Sequence, residues 1–136
     1  MKKASGIVLV LVVLLLVPTN TLYAQSNGMS FNVPFAFVVA DRQMPAGQYH
    51  VTSLYWNAVA ITVTEGKGGV ITLAQPTTLP EGAEPKLIFH KYAKHYFLSE
   101  ARLPGMDAGR KFYISKEEAE IAGNLPKPEN VEVAAK

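Results

Sequence analysis

His90 and His95 lie five positions apart in "FHKYAKHYFL", on either side of the dipeptide Ala93-Lys94. If that dipeptide turns a β-hairpin, the two rings share a face. A two-residue turn pairs Tyr92 with His95 and His90 with Phe97. A four-residue turn sets His90 opposite His95. The two registers have the same parity, so both imidazoles stay on one side of the sheet. Two imidazoles within reach can hold Zn²⁺ or Cu²⁺, but a stable site wants a third or fourth ligand. Glu100 is expected on the other face of its strand, His50 is remote in sequence, and the chain has no Cys. His90 and His95 are therefore weak metal candidates. The favoured reading makes them half-exposed sheet histidines among Tyr92 and Phe97, with no cofactor expected.

Covalent chemistry has less to work with. Beyond residue 24 the serines are Ser26, Ser30, Ser53, Ser99 and Ser115, and none sits in a G-x-S-x-G elbow. Ser115 stands where a helix needs a cap, and Glu117, Glu118 and Glu120 belong to that helix start. Gly66-Lys67-Gly68-Gly69 joins two strands, whereas a phosphate loop must lead from a strand into a helix. No catalytic residue is assigned, and the sequence reads as non-enzymatic.

Seven basic residues fall between Lys86 and Lys116 against Glu100 and Asp107, with six aromatics interleaved. Such a pattern can bind single-stranded nucleic acid, but Lys2 and Lys3 followed by the apolar run from Gly6 to Val17 predict export, where the chain would have little occasion to meet it. An acidic glycan or an anionic membrane surface is the alternative. Ordinary outward strand positions, with Lys guarding an edge, are the simpler reading.

The elements that carry these residues are short strands. Phe31, Val33, Phe35, Phe37 and Val39 alternate as one strand over 31–39, with Pro34 implying an edge, a bulge or a bend. The even positions, Asn32 to Ala40, are small and semi-apolar, so both faces of that strand are expected to be covered. Residues 41–46 are expected as a loop closed by Pro45-Ala46-Gly47. Further strands are expected at about 48–54, 58–64, 70–74, 86–92, 95–103 and 110–114. Glu65 to Gly69 reads as a hairpin turn. Residues 75–85, with three prolines, read as a long connection. Ser115 with Glu118 forms a capping-box pattern that opens a two-turn helix ending near Gly123. The sum is an all-β antiparallel meander of about seven strands, forming a small barrel or sandwich, with one short C-terminal helix. Residues 124–136, with Pro126 and Pro128, are expected to be a disordered tail.

Phe31-x-Val33-Pro34-Phe35-x-Phe37-x-Val39 is followed by Met44-Pro45-Ala46-Gly47-x-Tyr49-x-Val51. Together with Gly66-Lys67, Phe89-His90-x-Tyr92 and Tyr96-Phe97-Leu98, this resembles a group of short exported bacterial β-proteins with F-x-V-P-F-x-F-x-V and L-P-A-G-x-Y-x-V motifs. Met44 replaces the group's Leu, and Ala93-Lys94 replaces a glycine-containing turn. The resemblance implies an exported β-domain. It brings no assigned activity and no functional residues.

Lys2 and Lys3, the apolar run from Gly6 to Val17, and Leu22-Tyr23-Ala24 have the layout of a signal peptide over 1–24. Without those residues, eleven basic side chains face eleven acidic ones, which removes the case for general polyanion binding. Residues 25–123 are then a single β-domain, periplasmic or extracellular, not membrane-spanning after cleavage. Its strands are short for a transmembrane barrel, which needs about 9–11 residues in each. The expected role is non-enzymatic binding of an unknown protein or envelope component, with Trp56, Tyr92 and Phe97 as candidate contacts and no nucleic acid involved. The alternatives are a lipocalin-like carrier whose aromatic stripe lines a cavity, and a His-based metal protein. The oligomeric state is left open.

Overall fold

The computed structural model describes residues 28–64, 68–103 and 108–136. The expected signal peptide at 1–24, residues 65–67 of the expected hairpin turn and residues 104–107 lie outside the described residues. The strands are β1 (Gly28–Val33), β2 (Phe37–Val39), β3 (Arg42–Met44), β4 (Gly47–Tyr55), β5 (Ala58–Val63), β6 (Gly69–Thr78), β7 (Lys86–Tyr92), β8 (His95–Arg102), β9 (Ala108–Phe112) and β10 (Glu129–Ala134). One helix, α1 (Lys116–Ala122), lies between β9 and β10. Among the described residues the fold is all-β with one short helix.

Among the described residues, ten strands form one sheet in the order β1-β4-β5-β6-β9-β8-β2-β3, with β7 joined to β8 and β10 joined to β7. The sheet is mixed, because β2 meets β8 in parallel at Val38–Phe97. It is not closed into a barrel. β1 touches the end of β10 at a single bridge, Phe31–Ala135, with the Lys136 N–H donating to the Ser30 carbonyl at 3.0 Å. Side chains from all ten strands meet in one core, including Phe31, Phe37, Met44, Tyr49, Val59, Val70, Leu87, Leu98, Phe112 and the half-buried Val131. A single sheet can bring one face of every strand together only by curling around that face.

The aromatic stripe is core. Phe37 meets Tyr49 and Phe89 edge-on at 5.3 Å, and Phe35 meets Phe89 edge-on at 4.9 Å. These are favourable aromatic separations, and the rings pack against one another in the core. The stripe is two strands instead of one. The chain leaves β1 at Pro34 and re-enters as β2, so the bend that proline implied separates two sets of partners. Both faces are covered on β2 alone, with Phe37 and Val39 in the main core and Val38 against Tyr92 and Phe97; Asn32 on β1, Pro34 and Ala36 are exposed, so the cover expected on both faces of 31–39 does not extend there.

Three segments differ from the sequence expectation. Residues 42–44 are the strand β3, not loop, because Ala40 and Asp41 both take positive φ (52° and 58°) and turn a two-residue hairpin. β6 runs on to Thr78, with Pro76 opposite Arg110 in the β9 ladder. Residues 129–134, expected as tail, are the strand β10. Val131 and Val133 alternate onto the core, while β7 supplies a full antiparallel ladder.

Candidate functional site

Ala93-Lys94 makes the two-residue turn, with Tyr92 opposite His95 and His90 opposite Phe97. The histidines share a face, as parity requires, but the fold uses them differently. His95 is exposed, beside a cleft of about 470 Å³ between the β2–β3 hairpin, β8 and α1. His90 is committed on both nitrogens. Its Nδ1 lies 2.7 Å from Glu118 Oε1, and its Nε2 lies 3.1 Å from Ser99 Oγ. Among the described residues, no group of three or more His, Asp or Glu side chains is arranged to hold a metal ion.

The local sequence explains how Glu118 arrives there. Ser115 caps α1, its Oγ accepting from the Glu118 N–H at 3.1 Å. Asp41, on the β2–β3 turn, accepts a second free helix N–H from Lys116 at 2.9 Å. In a full capping box the N3 glutamate folds back onto the cap residue. Here the Glu118 carboxylate turns down onto the sheet, where it is 4% exposed and also accepts from the Tyr92 hydroxyl at 3.2 Å. Burial, then the Glu118 charge, then that hydrogen bond push the Tyr92 phenol above its ordinary pKa, so Tyr92 stays a donor. Beside these groups Ile121 packs on Val38, Tyr92 and Phe97.

Ser99 owes its place to a register break. Ile88 pairs with Glu100 and Phe89 with Leu98, which leaves Ser99 without a partner on β7. Such a bulge re-aims side chains. Leu98 and Ala101 both reach the core across it. The break also undoes the simple alternation from which the sequence put Glu100 on the far face.

Of the expected contact residues, Trp56 is 69% exposed at the β4–β5 turn. Tyr92 and Phe97 are buried instead of exposed. They are 6% and 1% exposed, packed with Val38 of β2 and Ile121 of α1. Other residues accompany Trp56. On β6, Val70 and Ala74 face the core, so Ile71 and Leu73 face outward, and Ile71 is 70% exposed. Leu73 is opposite Ala58, which is opposite Tyr55, while Ile71 is opposite Ala60. Tyr113, one residue past the Ala74–Phe112 pair, continues the row beyond Leu73. Leu54, Tyr55, Ile71, Leu73, Tyr113 and Ile114 are all exposed large apolar side chains. The signal for them was present in "VITLA" and "FYI", where neither strand face is polar.

The basic run is dispersed. Lys86 pairs with Glu132 at 2.9 Å, Arg102 with Glu100 at 3.0 Å, and Lys91 stands 5.6 Å from the centre of the Tyr96 ring. Arg110 is buried. Among the described residues, no helix is long and apolar enough to cross a membrane. The chain matches no family model, no curated protein and no solved structure at a significant level.

Proposed function

We propose that this is an exported binding domain whose apolar outer face, built on β4, β5 and β6 and extended by Tyr113, docks on a protein or cell-envelope component. One observation carries the reading. Two adjacent cross-strand rows, Tyr55–Ala58–Leu73 and Ala60–Ile71, present large exposed apolar side chains separated only by alanines. A contiguous apolar patch of this kind marks interaction surfaces on folded domains, whereas isolated exposed apolar residues are common. Trp56 at its rim is an aromatic anchor of the type that dominates binding energy. Export rests on the residue 1–24 segment and on the resemblance of the strand motifs.

The test substitutes Ile71→Lys and Leu73→Lys together. Both side chains point outward, so stability should change by no more than about 0.5 kcal/mol for each. Envelope fractions of the native host should retain the wild-type chain and release the double variant. Equal retention of the two proteins refutes the assignment of this face.

Carriage of a small ligand, the second reading, draws on the cleft beside α1. Phe37, Val38, Met44 and Phe97 contribute to its apolar side, and Gln43, Lys94, His95 and Glu117 to its polar side.

A further inference from the structure

Ser99, His90 and Glu118 come from three different elements and form one hydrogen-bonded line that the binding face does not use. The face is on β4 to β6, and the line is on β7, β8 and α1. The chemistry of the three groups sets its direction. The Glu118 carboxylate accepts, so His90 carries its proton on Nδ1 and donates it there at 2.7 Å. The neutral ring then keeps its lone pair on Nε2, which accepts from the Ser99 hydroxyl at 3.1 Å. Tyr92 donates to the same Glu118 oxygen at 3.2 Å and fixes the carboxylate from the other side. Glu118 is buried, while His90 and Ser99 are half-buried. A nucleophile on a base, with that base on a buried orienting carboxylate, is the geometry that activates a hydroxyl.

We propose that Ser99 is an activated nucleophile that takes the acyl group of small carboxylic esters, with His90 as its base and Glu118 as the positioning residue. The Ser99 Oγ bonds to the acyl carbon as its proton passes to His90 Nε2, and the imidazolium is balanced by Glu118. The bond to the ester's alkoxide then breaks, and the alkoxide leaves as the alcohol with the proton from Nε2. A water molecule activated by His90 in the same way releases the carboxylic acid and restores the Ser99 hydroxyl. Each step conserves protons and needs no other reactant. The sequence shows no nucleophile elbow because the three residues are brought together only by the hairpin register, the Ser99 bulge and the docking of α1.

The experiment treats the full chain with p-nitrophenyl acetate, quenches it with acid at successive early times so that the acetyl group is caught before water releases it, and maps that group by peptide mass spectrometry. The expected result is one acetyl group on Ser99, absent in Ser99→Ala. It should form about 10²-fold more slowly in His90→Gln, a typical loss on removing a general base. No acetyl group on Ser99, or equal labelling in folded His90→Gln, overturns the proposal. Should His90→Gln fail to fold, Ser99→Cys decides. With His90 in place its thiol should react with iodoacetamide at neutral pH at least about 10-fold faster than free cysteine. Reaction at the free-cysteine rate overturns the proposal.

Discussion

Replacing Glu118 with Ala asks how much of the fold depends on the junction between α1 and the sheet. The substitution removes one oxygen that accepts from His90 Nδ1 at 2.7 Å and from Tyr92 at 3.2 Å. It leaves the Ser115 cap intact, because that bond uses the Glu118 backbone N–H. A hydrogen bond to a charged group is worth about 1.5–3 kcal/mol, and a buried donor left unpaired costs about 1–3 kcal/mol. The His90 side chain is 26% exposed and can recover water, so its share falls at the low end. Tyr92 is 6% exposed and cannot, so its hydroxyl carries most of the penalty. The expected loss is about 2–3 kcal/mol, roughly 10 °C in Tm for a domain of this size. Urea unfolding followed by far-UV circular dichroism measures it, since Trp56 is too exposed to report folding well. The decisive comparison adds Tyr92→Phe. On the wild-type background Phe loses a hydrogen bond, whereas on Glu118→Ala it removes an orphaned hydroxyl and should restore about 1 kcal/mol. A Glu118→Ala loss below about 0.5 kcal/mol, or the same Tyr92→Phe effect on both backgrounds, refutes the argument.

Ending the chain at Pro128 removes β10, uncovers the β7 edge and strips Val131 and Val133 from the core. Two half-buried valines at about 1 kcal/mol each, with the lost ladder, predict a drop of about 3 kcal/mol or more, and an unchanged urea midpoint sinks the claim. Burial raises the phenol pKa of both Tyr49 and Tyr92 above the unfolded value. The unfolded chain therefore ionises first. The stability these tyrosines contribute is complete below about pH 10 and is lost as pH rises toward the folded values. The double Tyr49→Phe, Tyr92→Phe variant should lose less stability than wild type between about pH 9 and pH 11, and parallel Tm curves refute this. Arg110 is buried, and burial holds its guanidinium below its ordinary pKa. One of its nitrogens reaches the carbonyls of Ala108 and Gly109, while Nε has no partner among the described residues. Arg110→Met should be neutral or stabilising by up to about 1 kcal/mol, and a loss beyond about 2 kcal/mol in thermal unfolding would show a partner that matters.

Much of the fold was legible because local physics carries it. The period-2 runs at 48–54, 58–64, 86–92 and 95–103 became strands within a residue or two, and Ser115 capped the helix as its type and position required. Pro34 announced a break that the structure places there. β3 and β10 were not legible. β3 depends on Ala40 and Asp41 accepting positive φ, which neither residue advertises as an Asn-Gly pair does. β10 holds Pro-flanked, charged sequence whose few valines have value only against the β7 edge and the core. Count and closure were likewise decided by long-range pairing, including the parallel β2–β8 contact that a reading of successive hairpins cannot supply.

The sites divide along the same line. Residue types and hairpin parity were enough to put His90 and His95 on one face and Trp56 on a turn, because each depends on neighbours in sequence. The fate of each side chain was a matter of distant packing. Val38 of β2 and Ile121 of the helix pack on Tyr92 and Phe97 and bury them. The helix also carried Glu118 to His90 across 28 positions of sequence. The bulge that frees Ser99 exists only as a mismatch between β7 and β8. Alternation and capping act over a few residues, so the sequence determines them directly. Burial, pairing and the joining of Ser99, His90 and Glu118 need surfaces that exist only after the chain has folded back on itself.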